Sequence, residues 1–305
     1  MANPAFSSRA AAGADCADCP PKTENIIVIG SEFEYLRSGF QLKCMFLGCG
    51  YGVAQGTLRP PGYTRADRTT IAYVDKGYTR WELLNLDYLR DHAGVRIRTI
   101  GSSNSFINLL ANRGTGADRH VIRNLVMFCH GFPSYFALNY SGPGSDMNVF
   151  YGNFAAVPTN AFAPDGKLFS YACRTAMNVG ARGPQTSLGQ RLANRFDITV
   201  RAYKRRTNYG SCIRLRSEHE RLATDLKAAR VGKEGQRIPL PPDHEAYPHP
   251  GLSDGFWPGI EDGGQSEGIN NYALWRKNGA RALPVEGTSP AGQPTGFFTL
   301  TPAGT

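Results

Sequence analysis

The chain has 305 residues, 41% hydrophobic and 19% charged, a balance that supplies one large core or two modest ones and excludes a wholly disordered chain, a coiled coil or a collagen-like fibre. No apolar run approaches the roughly 18 residues of a membrane span. No basic-then-apolar start marks a secretory signal, so the sequence reads as soluble, cytoplasmic or secreted without a classical signal peptide.

Residues 1–24, rich in Ala, Ser and Pro, read as a flexible leader. Residues 25–68 read as an N-terminal edge segment: the apolar run Ile26-Ile27-Val28-Ile29, then glycine and proline turn chemistry from Gly48 to Arg68. From residue 69 to about 210, short apolar strands alternate with helical patterns, which predicts βαβ units on a mainly parallel sheet. The strands are expected at Thr70–Asp75, Val95–Ile100, Asn124–Phe128, Lys167–Ala172 and Ile198–Tyr203. Helices are expected at 79–91, where Thr79 and Glu82 form a capping-box pair and Trp81, Leu84 and Tyr88 a buried stripe, and at 103–113 with Phe106, Leu109 and Leu110 inward. A third begins near Ser187, with Leu188, Leu192 and Phe196 spaced i, i+4, i+8. A hairpin-like insert around Gly142-Pro143-Gly144 separates the third and fourth strands.

Residues 211–305 read as a basic helix, Ser217–Arg230, and a loop-rich tail. The ten prolines and eleven glycines of the last 68 residues leave room only for short strands at Tyr272–Trp275 and Phe297–Leu300. The net charge is +9, and eleven basic against four acidic residues between Arg201 and Arg237 place most of it in one segment. Seven cysteines, an odd number scattered through apolar runs, read as reduced thiols rather than a disulfide framework.

Ligands of an open parallel sheet bind beyond the carboxyl ends of its strands. There the third strand ends in Cys129-His130-Gly131 and the fourth in Tyr171-Ala172-Cys173-Arg174. If those strands are neighbours, a histidine and a cysteine emerge on one edge, the layout of a thiol nucleophile with its base. Gly131 lets backbone approach a substrate, so its amide and that of Cys173 are candidates for an oxyanion hole. Cys129 and Cys212 read as core. Cys16, Cys19, Cys44 and Cys49 match a four-thiolate zinc site in count but not in spacing, so no metal is assigned, and no cofactor is expected.

The blocks Leu125-Val126-Met127-Phe128-Cys129-His130-Gly131 and Leu168-Phe169-Ser170-Tyr171-Ala172-Cys173 resemble those of the caspase-like cysteine peptidases, a group that includes gingipains, clostripain, separase and the autoprocessing domains of bacterial toxins. Their pattern is an apolar strand ending in His-Gly, then one ending in a small residue and Cys. The resemblance covers about residues 69–206. It implies a three-layer α/β/α caspase-like domain, a Cys173–His130 dyad cleaving a protein or peptide substrate, an effector or toxin role, and an inhibitory or immunity protein as partner. The caspase pentapeptide Q-A-C-[RQG]-G is matched only at Ala172-Cys173-Arg174. Tyr171 stands in place of the glutamine, so cleavage after aspartate is not carried over. Tyr171, Arg174, Arg201, Arg205 and Arg206 are the candidate substrate-binding residues.

The alternative is a catalytically silent module that binds nucleic acid or an acidic protein through the basic segment, with strong salt dependence. No G-x-S-x-G elbow, G-x-x-x-x-G-K-[ST] loop or H-E-x-x-H motif supports another enzyme class.

Overall fold

The computed structural model describes residues 20–31, 45–76, 78, 80–115, 118–139, 145–180, 186–209, 212 and 280–303. The expected Ser217–Arg230 helix, the Tyr272–Trp275 strand, Gly142-Pro143-Gly144, and the side chains of Trp81, Leu84 and Tyr88 lie outside the described residues. In chain order the elements are β1 (Lys22–Ile29), α1 (Met45–Gln55), β2 (Arg68–Val74), α2 (Arg80–Ala93), β3 (Arg96–Ile100), α3 (Ser103–Ala111), β4 (His120–Phe128), β5 (His130–Gly131), β6 (Tyr135–Ala137), β7 (Asn148–Phe150), β8 (Phe162–Ser170), α4 (Leu188–Phe196), β9 (Thr199–Tyr203), β10 (Thr207–Asn208), β11 (Val285–Glu286) and β12 (Phe297–Leu300).

Seven strands form one sheet in the order β12-β9-β8-β4-β1-β2-β3, parallel throughout except for the antiparallel edge strand β12. Side chains alternate across it. Ile26 and Val28 of β1 join Phe106, Ile107 and Leu110 of α3 and Leu188, Leu192 and Phe196 of α4 in one core. Ile27 and Ile29 face Phe46 and Leu47 of α1 and Leu86 and Leu89 of α2 in the other. The fold is therefore the three-layer α/β arrangement that the alternation of strands and helices predicts. Leu109, expected inward, is only half-buried, whereas Ile107 is buried.

The segment 25–68 corrects the sequence reading twice. It is not an edge addition, because β1 lies between β2 and β4 in the middle of the sheet. The continuous run Ile26–Ile29 is the pattern of a strand buried on both faces, and the sheet order places that strand at the centre. The expected turn from Gly48 is the helix α1. Its glycines cost helix propensity, but a Cβ on Gly50 would lie 2.5 Å from Ile29 Cδ1, so glycine is what lets α1 rest on β1. Every residue from Met45 to Val53 is buried, and a helix apolar all round belongs inside.

At the amino end of the sheet a buried carboxylate ties three elements together. Glu24 of β1 accepts from Arg68 Nε at 2.9 Å and Nη2 at 3.0 Å, and pairs with Arg113 just beyond α3. Arg113 also donates to the His120 and Leu109 carbonyls at 3.0 Å each. Burial pushes its guanidinium down to about 10, which leaves it charged at neutral pH. Removing one member of such a pair strands the other, so Glu24→Gln is expected to lower the free energy of unfolding by about 3 kcal/mol, read by urea denaturation. An unchanged midpoint would show that the pair does not hold this end of the sheet.

Candidate active site

The chain builds β1, β2 and β3 in one direction and then crosses to place β4, β8 and β9 on the other side of β1. The switch point lies between β1 and β4, and the next pair of strand ends, those of β4 and β8, carries the candidate residues: His130 opens β5 beyond β4, and Cys173 follows β8 by three residues.

The two strand ends touch through Gly131. A Cβ at that position would lie 2.7 Å from Ala172 Cβ, 2.7 Å from the Cys173 carbonyl oxygen and 2.8 Å from the Cys173 nitrogen. No other side chain fits against the backbone of residue 173. Beyond Cys173 the chain turns sharply: Arg174 is left-handed at φ 60°, uncommon for a residue with a side chain and shared among the described non-glycine residues only with Asp197, the C-cap of α4. Its N–H donates to the Arg205 carbonyl at 2.9 Å, the Ala176 N–H donates to the Tyr203 carbonyl at 3.0 Å, and the Ser170 and Thr175 hydroxyls share a bond of 2.7 Å. The turn is thus held against β9 and the chain that follows it.

Cys173 is half-buried, and its Sγ accepts the Thr207 backbone N–H at 3.2 Å. A bond of this kind strengthens when the acceptor is an anion. Among the described cysteines, Cys49, Cys129 and Cys212 are buried as core residues, as the sequence reading of Cys129 and Cys212 expects. Burial pushes the Cys129 thiol far up, and burial together with neighbouring Cys212 does the same for Cys49. Both lie inside the packed core, whereas Cys173 combines partial exposure with a hydrogen-bond donor. Cys16, Cys19 and Cys44 lie outside the described residues.

His130 is half-buried, and its ring meets Phe46 edge-on at 5.0 Å. Phe46 in turn meets Tyr209 edge-on at 5.0 Å, and the Tyr209 hydroxyl donates to the Tyr171 carbonyl at 3.0 Å, two residues before Cys173. A chain of packed rings therefore connects the histidine on one strand end to the backbone before the cysteine on the other. Phe46, Thr207 and Tyr209 were not singled out by sequence reading. Their sequence signal is only that of core and turn residues, since their role comes from tertiary contacts.

The candidate substrate residues divide. Tyr171 is corrected: it is 1% exposed, stacked between Phe128 at 5.1 Å and Phe297 at 5.1 Å, and cannot reach a substrate. Arg201 is also corrected. It lies inside β9, opposite Phe169 and Thr299, rather than at the strand's end, with its Nη1 donating to the Pro61 carbonyl at 2.8 Å. Arg205 donates to the Gln293 carbonyl through Nε at 2.8 Å and Nη2 at 2.5 Å, so it fastens the C-terminal loop to the cleft. Arg206 remains exposed, its backbone bonded to Ser289 and Gly287, one residue before the Thr207 amide on Cys173. Arg174, half-buried, places its guanidinium 5.2 Å from the centre of the Phe132 ring.

Compared with known proteins, the chain matches no family model, no curated protein and no solved structure. Among the described residues no helix is long and apolar enough to cross a membrane. The contact at Gly131 is directly testable. Gly131→Ala should lower the free energy of unfolding by about 2 kcal/mol through overpacking and change the rate at which iodoacetamide alkylates Cys173. Unchanged stability together with unchanged alkylation would mean that the two strand ends do not meet there.

Proposed function

We propose that the protein is a cysteine peptidase in which Cys173 is the nucleophile and His130 the general base and acid, resembling the caspase-like group in its motifs. The observation that carries the reading is the Gly131 contact, which brings the residue after His130 against the backbone of Cys173 beyond two adjacent parallel strands. In this mechanism His130 takes the thiol proton, and the sulfur attacks the scissile carbonyl carbon. The negative oxygen of the tetrahedral adduct faces the amides of Gly131 and Cys173. The adduct collapses as His130 gives the proton to the departing amine. A water, deprotonated by His130, then attacks the thioester and releases the acid and the free thiol.

Thr207 supports this reading, since its amide holds the sulfur of a half-buried cysteine that belongs to neither core. The left-handed turn at Arg174 supports it as well, because such strain persists where the surroundings over-determine a functional geometry. An effector or toxin role, and an inhibitory or immunity protein as partner, belong to the same proposal through the resemblance to toxin autoprocessing domains.

Labelling by a peptidyl acyloxymethyl ketone, mapped by mass spectrometry, tests the assignment. Label should reach Cys173 in the wild type and vanish from Cys173→Ala. His130→Ala should slow turnover of a cleaved peptide by about 10³-fold, and the double variant should be scarcely slower than either single one, because the two groups act as a unit. Label retained in Cys173→Ala, or single losses that add in the double variant, would contradict the dyad.

A further inference from the structure

The small antiparallel sheet that begins at His130 has two unlike faces. Gly131, Phe136 and Val149 align across β5, β6 and β7; Phe136 and Val149 are buried in the core, and Gly131 abuts Cys173. Since neighbouring residues along a strand point to opposite faces, Phe132, Tyr135 and Phe150 form a row on the other face, the face that His130 shares at i, i+2. The Phe132 and Tyr135 rings stack at 4.5 Å and 11°, and Tyr135 meets Phe150, its cross-strand partner, at 4.8 Å. Three rings thus make one continuous ledge.

Phe150, at the end of that ledge, stays 48% exposed. One exposed aromatic is ordinary on a surface; Phe150 differs in being continuous with the row of rings that reaches the strand end at Gly131. At its other end the ledge abuts the residues of the cleft: Phe132 follows Gly131 directly, and Arg174, next to Cys173, lies over the Phe132 ring. A second observation points to a ligand at the same place. The Nε of Arg174 is buried and has no acceptor among the described residues. A buried donor without a partner is costly, and a carbonyl oxygen brought by a ligand would satisfy it.

We propose that the Phe132–Tyr135–Phe150 ledge is a side-chain subsite that takes an aromatic or large apolar residue of the substrate beside the scissile bond, with Arg174 Nε donating to a backbone carbonyl of the bound peptide. This rests on the peptidase reading of Cys173. An aromatic side chain offered to stacked rings gains by offset or edge-on contact, whereas an acidic or small one gains nothing from them.

The test measures how N-acetyl-phenylalanine amide, N-acetyl-alanine amide and N-acetyl-aspartate amide slow the alkylation of Cys173 by iodoacetamide in the full chain. The phenylalanine amide should protect at concentrations about fivefold lower than the other two. Phe150→Ser should abolish that preference and Phe150→Tyr should retain it. Equal protection by the three amides, stronger protection by the aspartate amide, or a preference that survives Phe150→Ser would overturn the subsite. Peptidyl ketones that label Cys173 while the amides show no preference would overturn the subsite and leave the peptidase standing. Selective protection by the phenylalanine amide with no ketone ever labelling Cys173 would overturn the peptidase and leave the ledge as a face that binds aromatic peptides.

Discussion

The cleft depends on one steric constraint: the backbone after β4 must touch the backbone after β8, and only glycine at position 131 allows it. Adjacent parallel strands hold their chains about 4.8 Å apart, and loops leaving them normally diverge. Here they converge. Gly131 presses on Cys173 while Arg174, in a left-handed conformation, turns the chain away toward Arg205. A β-branched or bulky residue at 131 would separate the strand ends, and with them the segments that carry His130 and Cys173.

The two ends of the sheet are stabilised by different physics. At the amino end a buried carboxylate and two guanidinium groups fix β1, β2 and the start of β4, an arrangement whose loss would be felt in stability. At the carboxyl end the fixing is done by rings and backbone bonds: Phe46, Tyr209 and Tyr171 on one side, Thr207 and Arg205 on the other. A rigid frame with its reactive groups on the connecting segments is the usual division between scaffold and function. The C-terminal residues belong to that frame, since β12 closes the sheet against β9 and the Gln293 carbonyl holds Arg205.

Much of the fold was legible because its elements advertise themselves locally. Leu188, Leu192 and Phe196 recur at helical spacing and are all buried, and the Ser187 hydroxyl caps α4 by accepting the Gln190 N–H at 3.2 Å. That the strands ending in Phe128 and Ser170 are neighbours stood only as a condition in the sequence, and the pairing of Asn124–Met127 with Lys167–Ser170 supplies it. What local pattern could not show was rank order within the sheet. The run Ile26–Ile29 says that a strand is buried on both faces, but not that it lies at the centre. Glycines 48, 50 and 52 suggest a turn to any local rule, and it is the neighbouring Ile29 and Leu58 side chains that explain Gly50 and Gly52 as parts of a close-packed helix. The same limit governs the candidate site: His130, Gly131 and Cys173 stand out as residue types at strand ends, whereas Tyr171 and Arg201 reveal their structural roles only through tertiary partners such as Phe128, Phe297 and Pro61.

The proposed peptidase requires Cys173, His130 and the amides of Gly131 and Cys173 to converge on one carbonyl. A crystal structure of the protein with a peptide aldehyde tests it most directly. It should show a hemithioacetal on Cys173 Sγ, its oxygen within hydrogen-bond distance of both amides and the His130 imidazole beside the sulfur. An adduct on another cysteine, or one on Cys173 with its oxygen turned away from these amides, would contradict the proposed site.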